Sequence, residues 1–476
     1  MTRADAPPRP ENAAAWPRLA VVALGLLCLT EAAKLVAFHQ AGPMPRASDA
    51  GAYWLLGAQV ARGDVWMAER PVAYRTPGYP WFLGAVQAVC GHWAWCTAIA
   101  VQYAAVWVTT VLTGWWTWRV SARPWLAVLA VLVCVLSAAR ASHASLLLTE
   151  TWFTLGLTVC GFLLSRPGAL TQSRSTVAIA AAWCLTWLTR PIGAALLPAW
   201  LAIWWRDSGV GSGGTRWRAW PPLVLTGVVL AVGLGPWVVR NAVLFGRPSL
   251  TVFLGRELWV TTFGPGRPTA GGLPSTPEAE EIIRRASPDG EFTDWGGNWS
   301  VSNRLTASGL SDAEADALMA RVARQGIAAD PLRAGLRFVV RGIDYWRATY
   351  LRSLTDYDDL AGTASDVRDG QREWGNRACH RFRRAWLDAA PERNLLVVEL
   401  SAALALMGLA GLWLAPSRRE TALLVTALIA GIALSTAALE YPSYRYRMVL
   451  EPALIVCGVS GWPVLIDVIR RGSRTL

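Results

Sequence analysis

The sequence predicts an all-α polytopic membrane protein: about ten transmembrane helices with a mostly helical extracytoplasmic domain. Three observations predict it. Of 476 residues, 53% are hydrophobic and 16% charged, whereas a soluble chain of this length is about a quarter charged. Mean hydropathy is +0.31. The chain also holds 28 Trp, a residue that collects at lipid–water interfaces. This composition excludes disorder, collagen-like repeats and an ordinary cytosolic enzyme.

A membrane-crossing helix needs about 20 apolar residues. Stretches near that length lie at 19–38, 95–118, 125–139, 146–164, 177–188, 192–205, 221–239, 395–414, 421–439 and 448–466. The first is longer than a signal-peptide core and lacks a cleavage site, so it is expected to remain as a span. Arginines in short loops set orientation. Placing Arg3, Arg9 and Arg18 in the cytoplasm puts Arg119/Arg123, Arg166/Arg174, Arg206/Arg216/Arg218, Arg418/Arg419 and Arg470/Arg471/Arg474 there too. Every alternate loop agrees. The expectation is a multi-pass protein of the cell (inner) membrane with both termini cytoplasmic.

The chain then divides into a seven-span core (1–240) that includes a first outer loop at about 40–91, an outer domain (241–392) and three closing spans (393–476). Residues 241–392 are too long for a bare loop and carry helix signals. Ser311 followed by Glu314 is a capping box, and 315–327 has apolar residues three and four apart. Pro331 breaks that run. Residues 336–350 resume it with Arg and Trp interleaved, predicting an amphipathic helix on the membrane surface. Turns are expected at Gly264–Gly272 and Gly290–Gly297. No internal repeat is visible.

Net charge is +12 but unevenly placed. Residues 241–392 hold 19 basic and 20 acidic side chains, leaving 26 basic against 13 acidic in the membrane part. Nucleic-acid binding needs a basic stripe on a folded domain, and the long polar segment is neutral. Most of the eight Cys lie inside spans and act as small apolar residues. Cys90 and Cys96 bracket His92, where a disulfide is open, but the spacing matches no zinc pattern. Asn298-Trp299-Ser300 fits a glycosylation acceptor.

Charges near a bilayer need an explanation, and here they gather at the outer boundary. Asp49 stands in Ser48-Asp49-Ala50-Gly51-Ala52-Tyr53. Arg75-Thr76-Pro77-Gly78-Tyr79-Pro80 follows, then Glu150, Arg140, Arg190, Arg240-Asn241, Glu440 and Tyr444-Arg445-Tyr446-Arg447. An acid among arginines at one face suits chemistry with an anionic leaving group: the carboxylate takes a proton while guanidinium forks hold phosphate. Plainer readings exist for single residues. Asp49 alone reads as a helix cap, Arg140 as a snorkelling anchor, and Glu31 with Lys34 as a structural pair.

Taken in order, these segments resemble integral-membrane glycosyltransferases of the GT-C type, in particular bacterial relatives of protein O-mannosyltransferases and the lipid A aminoarabinose transferases. The resemblance rests on Asp49 with Tyr53 in 49–63, Arg75 to Phe82, Thr149-Glu150-Thr151, Arg190-Pro191, Pro236-Trp237 with Arg240-Asn241, and Arg445-Tyr446 with Pro452. It implies transfer of a sugar from a polyprenyl-phosphate donor at the outer face, with inversion, to an acceptor that is a protein, lipid or glycan. It implies Asp49 as the base or as the group orienting the acceptor, and Arg75 on the donor phosphate, with Arg190 and Arg445 as further candidates. Tyr53, Tyr79, Glu150, Arg240, Asn241 and Tyr446 are the other implied substrate contacts. In one respect the chain departs from the family, whose members often carry a second acid near the first or before the basic-Pro motif. Those places hold Gly51, Ala52 and Tyr74, so a divalent metal would need Glu69 or Glu150 instead. The alternatives are a flippase or transporter of lipid-linked sugar, or an oligosaccharide polymerase or ligase. A transporter would place its polar groups at the midplane between two related halves, a pattern this sequence lacks.

Overall fold

A computed structural model of the chain describes residues 16–42, 48–208, 220–264, 272–347, 376–440 and 443–472. Among these residues all regular structure is helical. Six helical segments are long and apolar enough to cross a membrane, one of them the composite Gly78–Ser121, interrupted by a 3₁₀ turn at Gly91–Trp93. The sequence predicts about ten. The difference lies in the middle of the chain.

The long helices are α1 (Arg18–Gln40), α4 (Ala94–Ser121), α10 (Trp220–Phe245), α17 (Leu395–Leu414), α18 (Arg419–Leu439) and α20 (Glu451–Gly472). Between α4 and α10 stand shorter ones: α5 (Pro124–Leu136), α6 (Ala139–Ala144), α7 (Glu150–Leu164), α8 (Ser173–Thr189) and α9 (Leu197–Ser208). At 1.5 Å per residue, the 13 residues of α5 rise about 20 Å, short of a bilayer core of about 30 Å. Pro124 starts α5, and Pro191 opens a 3₁₀ turn after α8. Two helices fill the first loop: α2 (Ser48–Ala61) and α3 (Gly78–Cys90).

Broken backbone at membrane depth must find its hydrogen bonds inside the protein. The break after α6 does so through Gln102 on α4, whose amide donates to Ala144 O (2.9 Å) and Leu146 O (2.7 Å). The Tyr79 hydroxyl in turn donates to Gln102 Oε1 (2.7 Å). Two residues on different helices thereby set where α7 begins, and α7 begins at Glu150.

The basic loops meet at one end of the bundle. Arg119 donates to Phe162 O, Arg206 to Arg166 O and to Glu420, Arg418 to Val120 O, and Arg123 lies beside Asp467. Trp16 packs against Trp118 at the same end. The helices running away from these loops therefore deliver Asp49, Glu150, Arg190 and Arg445 to the opposite end.

The polar segment builds a second core. Helices α11 (Leu254–Phe263), α12 (Pro277–Ala286), α13 (Asn298–Ala307) and α14 (Asp312–Ala329) bury Trp259, Ile282, Val301, Leu318 and Met319 together. Ser311 and Glu314 form the expected capping box. Helix α15 (Pro331–Arg347) starts at the proline that ends α14. It exposes Leu332, Leu336, Val339, Val340 and Ile343, and its buried Tyr345 joins the core of the membrane bundle. The end of the expected amphipathic run at Tyr350 and most of the turn at 264–272 lie outside the described residues. Helix α16 (Arg377–Asp388) packs on α1, and α19 (Tyr444–Met448) precedes the last long helix.

Several local readings change. Arg140 is no snorkelling anchor. It is 4% exposed, 3.4 Å from Glu451, and donates to Cys134 O; at that depth a guanidinium needs a carboxylate partner. Glu31 and Lys34 do form a buried pair at 2.6 Å, and Lys34 also donates to Val135 O. All eight cysteines are free thiols, so Cys90 and Cys96 are not bridged; Cys96 lies 3.2 Å from His39 instead.

Helices α17 and α20 touch backbone to backbone. A Cβ on Gly461 would stand 1.7 Å from Gly408 O, and one on Gly408 would stand 2.6 Å from Cys457 O. Small residues permit such approach between membrane helices. Gly461→Val should therefore force α17 and α20 apart and lower the melting temperature of the detergent-solubilised protein by several degrees, about 1–3 kcal/mol of overpacking. Gly235→Val, which meets nothing within 4 Å, is the control that should leave melting unchanged.

Candidate active site

Five elements bring their charges to one row. Asp49 lies in the first turn of α2, where the helix dipole favours a carboxylate. Its Oδ1 accepts from Arg75 Nη2 at 2.6 Å, and its Oδ2 stands 3.6 Å from Arg445 Nη2. Arg445 Nε lies 2.9 Å from Glu150 Oε1, which also accepts from Arg190 Nη1 at 2.7 Å. The order is Arg75, Asp49, Arg445, Glu150, Arg190, with signs alternating throughout. Three guanidinium groups on two carboxylates leave the row one positive charge.

Each member is held. Arg75 donates to the Tyr53 hydroxyl at 2.8 Å, and its guanidinium lies over the Tyr53 ring. Arg190 lies 5.3 Å from the Tyr446 ring centroid. Arg75 Nε and Glu150 Oε2 are buried without a hydrogen-bond partner. Burial alone would push the Asp49 carboxyl up, but Arg75 and Arg445 outweigh it and hold the group below the usual carboxylate range.

The row lines a cavity of about 460 Å³, within the range of small-molecule sites. The polar segment adds to the lining: its Phe253 and Trp299 pack with Tyr74 of the first loop, ring centroids 4.8–5.8 Å apart. Glu257 of α11, and Glu440 after α18, also line it. Asn298 and Trp299, two residues of the expected glycosylation acceptor, line this cavity as well.

Of the residues expected to contact substrate, Asp49, Tyr53, Arg75, Glu150, Arg190, Arg445 and Tyr446 line the cavity. Three do not. Tyr79 is buried beneath, edge-on to Tyr53 and bonded to Gln102. Arg240 donates to Trp66 O, Met67 O, Val72 O and Asn241 Oδ1. Asn241 donates to Ser249 O and Leu250 O. Arg240 clasps the loop that leads to Arg75 and Asn241 holds the segment after α10, because buried carbonyls outside regular helix need donors. The sequence singled them out for substrate contact; the structure leaves them outside the cavity lining.

The site's acids give a metal little to bind. Glu69 pairs with Arg62 on the surface, and Glu150 is committed to two arginines. Among the described residues no cluster of three or more His, Cys, Asp or Glu stands ready to hold an ion. The two acids the sequence offered for a divalent cation, Glu69 and Glu150, are thus both taken up by arginines.

Sequence reasoning missed Glu257, Tyr74, Phe253 and Trp299 as cavity residues. One signal was available: Glu257 is the lone acid between Asp207 and Glu278, and it stands in an apolar, aromatic run. Such an isolated acid requires a structural or chemical reason.

No family model and no curated protein matches the chain. Among solved structures it is similar to ArnT from Cupriavidus metallidurans, both in the apo state and bound to undecaprenyl phosphate. Both matches have TM-score 0.39 and 16% identity. They cover 93% of this chain and 78% of that one in the first case, and 94% and 79% in the second.

Proposed function

We propose that the chain is a membrane glycosyltransferase that moves a sugar from a polyprenyl-phosphate donor to an acceptor at the outer face, inverting the sugar carbon. The observation that carries this reading is the row of three arginines on two carboxylates along one wall of a cavity at the bundle end remote from the basic loops. Phosphate leaves the sugar as an anion, and preset guanidinium donors stabilise that charge without reorganising during reaction. Arg75 and Arg445 share Asp49, so both lie within reach of one phosphate. Arg190 extends the row.

In this reading Asp49 orients the two arginines rather than accepting a proton, since a carboxylate shared by two guanidinium groups is a weak base. Tyr53 and Tyr446 carry the arginines, and the aromatic wall of Tyr74, Phe253 and Trp299 takes the sugar or acceptor. The orientation follows from the loops: with Arg119, Arg166, Arg206 and Arg418 inside, the cavity faces outward and both termini are cytoplasmic. The shorter helices α5, α7, α8 and α9 would then complete ten crossings. The polar domain (241–392) forms the outer lid of a site whose remaining parts come from 1–240 and 393–476. A lipid-linked-sugar flippase would instead need its polar row at the midplane.

The test is to incubate the protein in nanodiscs with radiolabelled polyprenyl-phosphate sugar and separate lipid, protein and glycan acceptors. Release of polyprenyl phosphate with label on an acceptor is the expected result. Movement of intact donor across vesicles, with no cleavage of the sugar–phosphate bond, would overturn the reading in favour of a transporter.

A further inference from the structure

Seven charged side chains line the cavity, and six have partners. Five form the row, and Glu440 lies within the influence of Arg190, Tyr446 and Arg445. The seventh is Glu257. It is 8% exposed, and its carboxyl makes no hydrogen bond or ion pair among the described residues. An acid so placed is costly to keep, which makes its retention a question of chemistry.

The backbone under Glu257 is fixed. Gly255 N and Arg256 N donate to the two oxygens of Asp316, both at 3.0 Å, capping α11 from α14. A Cβ on Gly255 would stand 1.8 Å from Asp316 O, so only glycine allows the approach. Neighbouring Arg256 is committed elsewhere, to Asp312, Asp316 and Ser302. Helix α11 therefore presents Glu257 to the cavity on a fixed backbone, in the same lining as Phe253, Trp299 and the arginine row.

We propose that Glu257 takes the proton from the acceptor, and that the acceptor's nucleophile is an alcohol hydroxyl, not a phosphate. This rests on the transferase reading. The acceptor oxygen bonds to the anomeric carbon as the bond from that carbon to the phosphate oxygen breaks, its electron pair leaving with polyprenyl phosphate. The acceptor O–H bond breaks, and its proton passes to the Glu257 carboxylate. An acceptor phosphate is already ionised near neutral pH and needs no base; a hydroxyl does. Asp49, tied to two arginines, is poorly suited to that step.

The surroundings match. Burial pushes the Glu257 carboxyl well above the ordinary range, and the carboxylates of Glu440 and Asp316 push it further than Arg190 and Arg256 pull it down. Tyr446 is the other titratable group nearby. A folded value above the unfolded one, about 4.3, means that the contribution to stability is fully present below about pH 4. That contribution is lost as pH rises through the folded value. Ionised Glu257 thus works against folding, a common signature of a group kept for activity.

The experiment uses full-length protein in nanodiscs with a short-chain polyprenyl-phosphate sugar, and with water and simple alcohols as acceptors. Glu257→Gln should lower kcat by on the order of 100-fold with donor affinity within about twofold. It should also flatten the acid limb of the pH–rate profile and raise the melting temperature at neutral pH. Glu257→Asp should restore part of the rate, and Glu440→Gln should move the acid limb to lower pH. Wild-type rate and an unchanged acid limb in Glu257→Gln would overturn the proposal, as would a lower melting temperature with weakened donor binding. Failure of the wild-type protein to bind or cleave the donor would overturn the transferase reading itself, and this base with it.

Discussion

Arg75→Ala is expected to reduce kcat/KM on a polyprenyl-phosphate sugar by on the order of 10³, because losing one preset donor to a developing anion costs about 10²–10³ and Arg75 also anchors its neighbours. It donates to Asp49 and to Tyr53, and its remaining buried nitrogen, Nε, has no protein partner. Removal leaves Asp49 with Arg445 alone. Arg75→Lys should recover only a small part, since an ammonium cannot offer the fork that spans phosphate and carboxylate together. Steady-state kinetics with labelled donor check this. The coupling to Asp49 is a second readout. Asp49→Asn should leave the protein folded and inserted with transfer strongly reduced, and the double variant should lose far less than the two single losses added, because both act on one assembly. Additive losses would mean that the two residues work separately.

Arg445→Ala should have the largest effect on stability. This side chain joins the two halves of the row, with Asp49 on one side and Glu150 on the other. Glu150 is 1% exposed, so removing one of its two guanidinium partners leaves a buried anion half neutralised. Breaking a buried pair costs about 3–5 kcal/mol. Thermal unfolding in detergent should show a melting temperature roughly 5 °C or more below wild type. Glu150→Gln is the informative partner. It removes the buried anion but leaves Arg190 and Arg445 facing one another, so it too should destabilise, and Glu150→Gln with Arg445→Ala together should be milder than the sum. A loss below about 0.5 kcal/mol for Arg445→Ala would place the row among exposed pairs of little weight and remove the case for a preset anion site.

Reading the chain from its residues succeeds where the signal is local. The capping box at Ser311 and Glu314 depends on residues three apart, as does the pair of Glu31 and Lys34. The long apolar helices α1, α10, α17, α18 and α20 follow from composition over one window. The alternation of basic loops is equally legible, and those loops meet at one end of the structure. Reading fails where one residue type serves two tasks. Arg240 and Arg445 look alike in sequence, each ending or following an apolar stretch beside a polar neighbour. One binds three backbone carbonyls and the other two carboxylates, and which of these it does depends on what the rest of the fold places opposite.

The amino-acid order alone determined that this protein is helical, apolar enough to lie in a membrane, and supplied with acids and arginines at one boundary, because hydrophobic period and loop charge are properties of neighbouring residues. Only the tertiary structure decided that Asp49, Arg75, Glu150, Arg190 and Arg445 form one continuous row, that Tyr79 and Asn241 are buried outside the cavity lining, and that Glu257 lines the same cavity. The reason is physical. An ion pair weakens with distance and strengthens where packing excludes water, so the partner of a charge is set by which helices pack together, and that packing joins segments hundreds of residues apart.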